Sequence, residues 1–431
     1  MRYLIIGTGI AGLTAAETIR KLDPEGKILL FSAENSPPYA RYLLPELLAL
    51  ERDAESLRLR RDDFYHRNQL ELHLGEAVED VDCRSSTLST GRRRYNFDRL
   101  LLATGARTVL PRSPLLNARG VFILRNLTDA LLIDEFIRKK KVKTAAVIGA
   151  GLVGLKIASA LDRRGIDVSI VEKESRILSR VLDAESQTPV ARVCRENGLK
   201  LVLAERFREF IISARSRRIT HLVTYSGYSL ACEMAIFCPG MASNKEIAKV
   251  AGLRTGKGIK VDRFLRTSAE NIYGAGDAIE TFNAATGKTE FMPLWMNALQ
   301  QGGIAGANMA GRRVAYEGAV WHNTLQLFGL NLVSLGQNHS ADRVRGVRVV
   351  SSVKNRRGIR LFYSGDKLIG ATVFGHPEMT DLLKKIILHR IPSWRLRDHL
   401  LKARLSPSLL FDSFESSRQS ESCINPAALE E

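Results

Sequence analysis

Two glycine-rich turns, each placed between a short apolar run and a helical pattern, constrain the fold of this chain most. The first, Gly7-Thr8-Gly9-Ile10-Ala11-Gly12, follows the apolar residues 3–6 and precedes a helix predicted over 13–22. The spacing lets the backbone turn sharply, approach a pyrophosphate and pack the helix against the strand. A second copy, Gly149-Ala150-Gly151-Leu152-Val153-Gly154, follows residues 145–148. One copy is a weak signal, but two predict two dinucleotide-binding units.

An acidic residue follows each turn at the end of the next predicted strand. Glu34 lies 27 residues after Gly7, and Glu172 lies 23 residues after Gly149. A carboxylate in this place accepts hydrogen bonds from an adenosine ribose, and it repels the 2'-phosphate of NADP. Glu172 therefore favours NAD(H), although two basic residues within the next four positions weaken that preference. Without its glycine turn, Glu34 would be interpreted as a solvated loop acid.

Two further apolar strands end in small residues. Ala103-Thr104-Gly105 closes the strand at 100–102, and Gly274-Ala275-Gly276 closes the next one before Asp277. A backbone that passes close to a bound nucleotide needs such residues, and Asp277 is placed to meet a cofactor hydroxyl. A helix predicted over Trp295–Met309 follows, and its N-terminal dipole can stabilise negative charge on a reduced cofactor.

The length of 431 residues predicts two or three domains. No uncharged apolar run approaches the ~20 residues of a spanning helix, and the first apolar run is too short for a signal peptide. We therefore expect a cytoplasmic protein with no membrane span. The five cysteines show neither a Cys-x-x-Cys pair nor a metal-ligand spacing. We expect reduced thiols, no metal and no iron-sulfur cluster bound by this chain.

The positive charge is unevenly spread. The net charge is +18, and residues 341–405 alone hold 15 lysines and arginines against 5 acidic residues, a net +10. An acidic protein partner, a solvated basic face and a nucleic-acid surface are the alternatives, in that order. Nucleic acid ranks last because the aromatic residues of this segment are scattered rather than interleaved with the basic ones.

Taken together, the two glycine turns, the Ala-Thr-Gly strand and the Gly-Ala-Gly-Asp strand resemble the FAD-dependent pyridine nucleotide-disulfide oxidoreductase superfamily. The similarity is to the branch with rubredoxin reductase, ferredoxin reductases and the flavin part of nitrite reductase, and it extends over about 2–402. It implies an α/β fold with two Rossmann-like dinucleotide-binding domains, as in glutathione reductase, plus a C-terminal α+β domain. The implied boundaries are 1–115 and 244–313 for FAD, 116–243 for NAD(H), 314–405 for the C-terminal domain and 406–431 for a flexible tail.

The resemblance also implies which residues bind the cofactors. The implied FAD contacts are Gly7, Gly9, Ala11, Gly12, Glu34, Arg41, Val78, Thr104, Gly105, Arg125, Asp277 and Trp295. The implied NAD(H) contacts are Gly149, Gly151, Gly154 and Glu172. The C-terminal domain often forms the dimer interface in this family, so a homodimer or a hetero-oligomer through that domain is expected.

Two departures from the family pattern are informative. The segment after Arg41, residues 42–48, contains no cysteine where many relatives carry a redox thiol. Relatives also carry a lysine in that segment and a glutamate after the second glycine turn. This sequence has Glu46 and Lys156 at those places, which suggests a flavin-side ion pair with exchanged partners.

The implied activity is that of an FAD-dependent NAD(H) oxidoreductase, an NADH:acceptor reductase. It would exchange hydride with NAD and single electrons with an acidic iron-sulfur partner of the ferredoxin or rubredoxin type. It would act alone or as the flavoprotein subunit of a larger complex, such as a phenylglyoxylate or aldehyde dehydrogenase. The alternatives are a soluble NADH oxidase or disulfide reductase, disfavoured by the missing cysteine, and a non-catalytic FAD-binding redox sensor.

Overall fold

The computed structural model describes residues 1–109, 118–338 and 346–403. The predicted tail, 406–431, lies outside the described residues, as do 341–345 of the basic segment. The helices, in chain order, are α1 Ile10–Leu22, α2 Leu44–Leu48, α3 Asp62–Arg67, α4 Leu127–Lys140, α5 Leu152–Asp162, α6 Ala184–Glu196, α7 Glu246–Val250, α8 Trp295–Met309, α9 Thr380–Leu388 and α10 Arg397–Leu401.

The strands are short, as the alternation of apolar runs and turns predicts. The first thirteen are β1 Arg2–Ile6, β2 Lys27–Ser32, β3 Leu70–Leu74, β4 Val78–Asp82, β5 Thr87–Thr90, β6 Arg94–Asn96, β7 Arg99–Leu102, β8 Ala106–Thr108, β9 Val121–Ile123, β10 Thr144–Ile148, β11 Asp167–Glu172, β12 Lys200–Leu203 and β13 Phe207–Ile212. The others are β14 Ile219–Thr224, β15 Ser229–Ala231, β16 Met234–Phe237, β17 Met241–Ser243, β18 Ile272–Gly274, β19 Thr281–Asn283, β20 Lys288–Glu290, β21 His322–Leu327, β22 Leu330–Gly336, β23 Val347–Ser351, β24 Gly358–Ser364 and β25 Lys367–Phe374.

A parallel five-stranded sheet carries the first glycine turn. Its order is β18-β7-β1-β2-β3, with β1 in the middle between β2 and β7. Four consecutive residues of β1, from Tyr3 to Ile6, are buried, as a strand covered on both faces requires. The carboxyl ends of β1, β7 and β18 lie side by side, so the turns that follow them share one edge.

A second parallel sheet repeats this arrangement around the second glycine turn. Its order is β12-β11-β10-β16-β9, again with the strand before the turn, β10, in the middle. Smaller antiparallel pieces accompany the two sheets: β13-β14-β15, β4-β5-β6 and the pair β17-β8. The α/β fold class with two Rossmann-like sheets, predicted from the sequence, is thereby confirmed.

The helix α8 packs along α1 at very short range, because glycines stand at the crossing. A methyl group on Gly302 would overlap the carbonyl oxygen of Ala11. A methyl group on Gly306 would lie 2.5 Å from the carbonyl oxygen of Ala15. The last part of the chain before the C-terminal unit therefore packs directly against the helix that the first glycine turn opens.

The chain separates into two compact units. The first comprises residues 1–177, 194–282 and 288–319, and the second comprises 178–193, 283–287 and the described part of 320–431. The second unit is built on an antiparallel sheet of order β21-β22-β25-β24-β23. One face of this sheet packs its apolar side chains with α9 and α10. This is the C-terminal sheet domain that the resemblance implies.

Residues 178–193 belong to the second unit although the sequence boundaries assign them to the NAD(H) domain. The reason is a polar contact in the interior of that unit. Asp183, fully buried, accepts a hydrogen bond of 2.9 Å from Arg360 of β24, and Ser334 of β22 donates to the carbonyl oxygen of Val181 at 3.0 Å. A buried arginine therefore holds a segment that no local sequence pattern assigns to this sheet.

The described residues contain no helix that combines the length and the apolar character needed to cross a membrane.

Candidate cofactor-binding site

The first glycine turn is shaped by close backbone contacts. Gly7 has a φ of 112°, and its N–H donates to the carbonyl oxygen of Phe31 at 2.8 Å. A methyl group on Gly7 would overlap the carbonyl oxygen of Ala103, and one on Gly12 would overlap the carbonyl oxygen of Gly7 itself. Only glycine satisfies both the backbone angle and the space at Gly7.

The N-terminus of α1 is open at this turn. Its N-cap, Gly9, supplies no side-chain cap, the first turn holds no acidic residue, and no atom lies within 4 Å of the place where a Cβ on Gly9 would be. The side chain of Ala11, in the first turn of the helix, is small and buried. Uncapped amides and a positive helix dipole fit the pyrophosphate of a dinucleotide.

Glu34 is held in a hydrogen-bonded network beside the turn. Its carboxylate accepts from the hydroxyl of Tyr39 at 2.8 Å and from the guanidinium of Arg41. The same hydroxyl accepts a hydrogen bond of 2.9 Å from the N–H of Leu127, at the start of α4. A small cavity lined by Thr8, Glu34, Tyr39 and Arg41 among others lies here. The sequence analysis missed Tyr39, whose only signal is an aromatic residue after two prolines in a polar loop.

Arg41, Arg125 and Asp277 form a group of charges. Among the described residues no ion pair joins Asp277 to either arginine, while Nη1 of Arg41 donates to the backbone carbonyl oxygen of Arg125 at 3.3 Å. Burial raises the pKa of Asp277, while Arg125 and Arg41 oppose the rise. Burial also lowers the pKa of Arg125, and the nearby positive charge of Arg41 lowers it further. Arg41 is paired with Glu34, so Arg125 is the guanidinium of this group that has no bonded carboxylate among the described residues, and it suits a bound anion. The three FAD residues predicted here are therefore brought together.

The remaining predicted FAD residues lie around this edge. Thr104 donates to the carbonyl oxygen of Asn244 at 2.6 Å, and Gly105 accepts from the N–H of Asn244 at 2.9 Å. Asn244, which the sequence analysis did not single out, thus ties the Ala-Thr-Gly turn to β17 and its following loop. Val78 begins β4 two residues after Glu76, whose N–H donates to the carbonyl oxygen of Ser32 at 2.8 Å.

The second glycine turn reproduces the first. Gly149 has a φ of 113°, and its N–H donates to the carbonyl oxygen of Val171 at 2.8 Å. A methyl group on Gly154 would overlap the carbonyl oxygen of Gly149, so α5 starts tightly against the turn. Gly151 is the N-cap of α5, again without a side-chain cap and without an acidic residue in the first turn. The same argument that fits a pyrophosphate to the first turn applies here.

Glu172 is fixed at the end of β11 by two backbone amides. Its Oε2 accepts from the N–H of Ala150 at 2.7 Å, and its Oε1 accepts from the N–H of Glu174 at 3.0 Å. Each carboxylate oxygen keeps a lone pair that a ribose hydroxyl can use. The negative charge therefore lies directly beside the glycine turn, as the preference for NAD(H) requires.

Trp295 opens α8 and contacts an aromatic residue of the segment that lacks the family's cysteine. The rings of Trp295 and Tyr42 meet edge to face with centroids 4.8 Å apart. Tyr42 is half exposed, at 51%. The two rings therefore lie beside the N-terminus of α8, where its first backbone amides are.

The direct ion pair predicted between Glu46 and Lys156 is not formed. Within the described part of the chain, Lys156 has no ion pair, and the Glu46 carboxylate is bonded instead to Arg52 at 2.6 Å. Burial lowers the pKa of Lys156, and Glu46 opposes this only through space. The prediction missed Arg52, which follows the short helix α2 and reaches back to the carboxylate. Lys156 is thus left as a half-buried ammonium group without a bonded counter-charge.

The described cysteines are structural. Cys194, Cys232 and Cys238 are free thiols whose pKa burial raises to about 12, and burial also raises the pKa of Cys83. A thiol of that acidity is protonated and unreactive near neutral pH. None of the described thiols lies in the segment 42–48, where many relatives carry a redox cysteine.

Comparisons with known proteins agree with this geometry. The sequence model of the family described as pyridine nucleotide-disulphide oxidoreductase matches residues 1–302. A protein named NADH oxidase from Methanocaldococcus jannaschii is 31% identical over 319 residues, 72% of this chain and 70% of that protein. The NADH-dependent phenylglyoxylate dehydrogenase subunit epsilon from Aromatoleum evansii is 29% identical over 408 residues, 93% of this chain and 94% of that subunit.

A solved structure supports the same assignment over nearly the whole chain. The crystal structure of the covalent putidaredoxin reductase-putidaredoxin complex is similar with a TM-score of 0.83 and 25% identity, and the match covers 91% of this chain and 94% of the other.

Proposed function

This chain belongs to the pyridine nucleotide-disulphide oxidoreductase family and is an NAD(P)H-dependent flavin oxidoreductase with FAD and NAD(H) as its cofactors, and we propose that it exchanges single electrons with an acidic iron-sulfur partner. The observation that carries this proposal is the absence of a thiol in the segment 42–48, where Tyr42 contacts Trp295 instead. With no redox cysteine beside the cofactor, electrons have no acceptor at that place in the chain and pass to another molecule.

We propose that FAD is held at the first turn and NAD(H) at the second. FAD, when bound, supplies hydride acceptance and the release of electrons one at a time. The open amides of α1 would bind its pyrophosphate, and Arg41 and Arg125 would balance the negative charge. The amides at the start of α8 would stabilise negative charge, while Trp295 and Tyr42 would exclude water. Positioning of the two cofactors supplies the rate acceleration, and no side-chain nucleophile is needed.

The surface that we propose for binding the acidic partner lies on the second unit. Its basic segment is not one continuous face, because Arg360 is buried and bonded to Asp183. A compact basic surface remains around Trp394, however, where the guanidinium carbons of Arg348 and Arg397 lie 3.6 and 4.7 Å from the ring centroid. We define Arg348, Trp394, Arg395 and Arg397 as the Trp394 surface. Guanidiniums held by an aromatic ring are prepared for contact with carboxylates of an acidic partner.

The similar proteins support a partner of this kind. One is named as the epsilon subunit of an NADH-dependent phenylglyoxylate dehydrogenase, and the other is the reductase of a covalent complex with putidaredoxin. A subunit role within a larger oxidoreductase is therefore part of the proposal. The alternatives, an NADH oxidase or disulfide reductase and a non-catalytic redox sensor, make different predictions in the following experiment.

Anaerobic stopped-flow mixing of the FAD-loaded protein with NADH tests the proposal. We expect rapid bleaching of the flavin absorbance, followed by reduction of an added acidic ferredoxin. The absence of bleaching would indicate the redox sensor. If ferredoxin is not reduced, the bleached protein is mixed in a second step with oxygen or with an aromatic disulfide. Rapid reoxidation of the flavin in that step would indicate the oxidase or disulfide reductase.

The Trp394 surface predicts a salt-dependent rate of ferredoxin reduction. Arg395→Glu is expected to lower kcat/KM for ferredoxin about fivefold at low ionic strength, with the difference vanishing at high salt because screening removes long-range attraction. Reduction of ferricyanide by NADH should not change. The matched control is Arg92→Glu, the same charge reversal at an exposed arginine between β5 and β6. Equal losses in the two variants, or a rate indifferent to salt, would remove the case for this surface.

Glu172 predicts a change in nucleotide preference. Glu172→Ala removes the charge that repels a 2'-phosphate and the acceptor for the ribose hydroxyls. We expect kcat/KM for NADH to fall and that for NADPH to rise, so that their ratio shifts by about tenfold or more. Steady-state rates with both nucleotides and ferricyanide measure this ratio. Glu174→Ala serves as the control, since the bond between Glu174 and the Glu172 carboxylate comes from the backbone N–H of Glu174, and an equal shift there would contradict the assignment.

A further inference from the structure

Three arginines gather around one phenylalanine, with a fourth arginine beside them in the sequence, at a place that the proposed function does not use. The guanidinium carbons of Arg263, Arg266 and Arg313 lie 5.3, 5.7 and 5.1 Å from the ring centroid of Phe264. Arg312 is the sequence neighbour of Arg313, and all four arginines are exposed. We define these four arginines and Phe264 as the Phe264 surface. All of it belongs to the first unit.

Among the residues that the structure describes, few carboxylates compensate the charges of this surface. One carboxylate, Asp262, contacts it, and its Oδ2 accepts from Arg266 at 3.0 Å. Its Oδ1 is already used by the N–H groups of Phe264 and Arg266, at 2.8 and 2.9 Å. Within the described residues, Arg263, Arg312 and Arg313 have no carboxylate partner. Mutually repelling cations held this close are stabilised when a partner brings negative charge.

The arrangement is rigid, because buried polar groups lock the two loops that carry it. The side chain of Asn308, only 6% exposed, donates from Nδ2 to the carbonyl oxygens of Phe264 and Val314, each at 2.8 Å. Its Oδ1 accepts from the N–H of Val314 at 2.7 Å, and the N–H of Tyr316 donates to the carbonyl oxygen of Arg263 at 2.7 Å. The arginines are therefore presented on a fixed backbone, which lowers the entropy lost on binding.

The backbone of the loop that carries Phe264 is strained at the next residue. Leu265, a buried non-glycine residue, has a φ of 62°, and its N–H closes a turn onto the carbonyl oxygen of Asp262 at 2.9 Å. A left-handed residue of this type is unfavourable by itself and persists where the surrounding structure imposes it. The turn buries Leu265 and leaves Phe264 beside the arginines.

The chemistry of the surface favours carboxylates over nucleic-acid bases. A single-strand binding surface offers free aromatic faces on which bases stack. The ring of Phe264 is half buried and surrounded by three guanidiniums, so it offers no such face. Guanidiniums arranged in this way match the paired oxygens of glutamate and aspartate side chains.

We propose that the Phe264 surface binds an acidic segment of a partner protein as an assembly contact. It lies at the C-terminal end of α8, whose other end carries Trp295, so the fifteen residues of the helix separate the two by about 20 Å. The contact is thus distinct from the place where electrons leave the cofactor. It goes beyond the proposed function, since it anchors a partner without taking part in electron transfer.

Fluorescence anisotropy with labelled poly-L-glutamate tests the proposal on the full-length, FAD-loaded protein. The variant is Arg263→Glu/Arg313→Glu, and the matched control is Arg92→Glu/Arg94→Glu, an equal charge change on exposed residues between β5 and β6 and in β6. We expect the variant to weaken poly-L-glutamate binding about tenfold at low salt and the control less than about twofold. The rate of ferricyanide reduction by NADH and the melting temperature should match those of the unmodified protein in both.

Each other outcome overturns the proposal. Equal weakening in variant and control would indicate attraction by net charge alone. Unchanged binding in the variant would show that the acidic polymer binds elsewhere. Polyuridylate RNA bound more tightly than poly-L-glutamate, and released by the same variant, would identify a nucleic-acid surface. Phe264→Leu provides a second measurement that keeps all four arginines, and we expect it to weaken poly-L-glutamate binding about threefold, because the ring no longer orients the guanidiniums.

Discussion

Gly302→Ala is expected to abolish the retention of FAD and to destabilise the first unit by about 3 kcal/mol or more. The added methyl group would overlap the carbonyl oxygen of Ala11 and come within 2.9 Å of its other backbone atoms. Backbone atoms cannot move aside by a change of rotamer, so α8 and α1 must separate. Because Ala11 lies within the first glycine turn, that separation also displaces the amides that would bind the pyrophosphate.

The adjacent glycine is a matched control for this prediction. A methyl group on Gly303 would meet only the side chains of Thr14 and Thr18, each at 3.8 Å, which is ordinary contact. Gly303→Ala should therefore retain FAD and stabilise α8 by about 0.5–1 kcal/mol, the usual gain when alanine replaces glycine inside a helix. The flavin-to-protein absorbance ratio after gel filtration and differential scanning calorimetry measure both effects. Equal FAD content in the two variants would disprove the close packing of α8 on α1.

Asp183→Asn is expected to destabilise the second unit by about 3 kcal/mol. The substitution keeps the shape of the side chain but removes the buried negative charge that faces Arg360, which is itself only 8% exposed. Breaking a buried ion pair from one side leaves an uncompensated charge in a poorly solvated place, and this costs about 3–5 kcal/mol. The low end applies because Glu185 still contacts the same guanidinium.

Glu185 provides the comparison, since it pairs with the same arginine from the surface. Its side chain is 74% exposed, so Glu185→Gln should cost less than about 1 kcal/mol. Urea unfolding followed by tryptophan fluorescence reports mainly on the second unit, which holds Trp321 and Trp394. The double variant Asp183→Leu/Arg360→Met should recover most of the lost stability, because it removes both charges together. A loss at Glu185 as large as that at Asp183 would contradict the buried location of the pair.

The local backbone structure could be predicted from the sequence. The two glycine turns, the small residues after β7 and β18 and the α8 bounds Trp295–Met309 agree with the structure. The helix α1 begins at Ile10 rather than at the predicted residue 13. Gly9 is already its N-cap, so the helix starts inside the glycine turn, and the pattern of apolar residues alone did not reveal this.

The hydrogen-bond and ion-pair partners of individual side chains could not be predicted from the sequence. Glu46 bonds to Arg52 rather than to Lys156, and Tyr39 joins Glu34 to the start of α4. In both cases the resemblance to a family identified the acidic residue but not the side chain that bonds to it. Arg52, six positions after Glu46, competes with Lys156 for the Glu46 carboxylate, and the path of the intervening loop determines that Arg52 bonds to it.

The sequence by itself determined where the backbone must turn tightly, where strands are buried and that the segment 42–48 contains no thiol, because these are properties of consecutive residues. The tertiary structure alone decided which charges are neutralised. It buried Arg360 of the basic segment against Asp183, and among the described residues it left Arg263, Arg312 and Arg313 without a carboxylate partner. The physical reason is that an ion pair depends on two elements meeting in space, and a count of charges along the chain holds no information about that meeting.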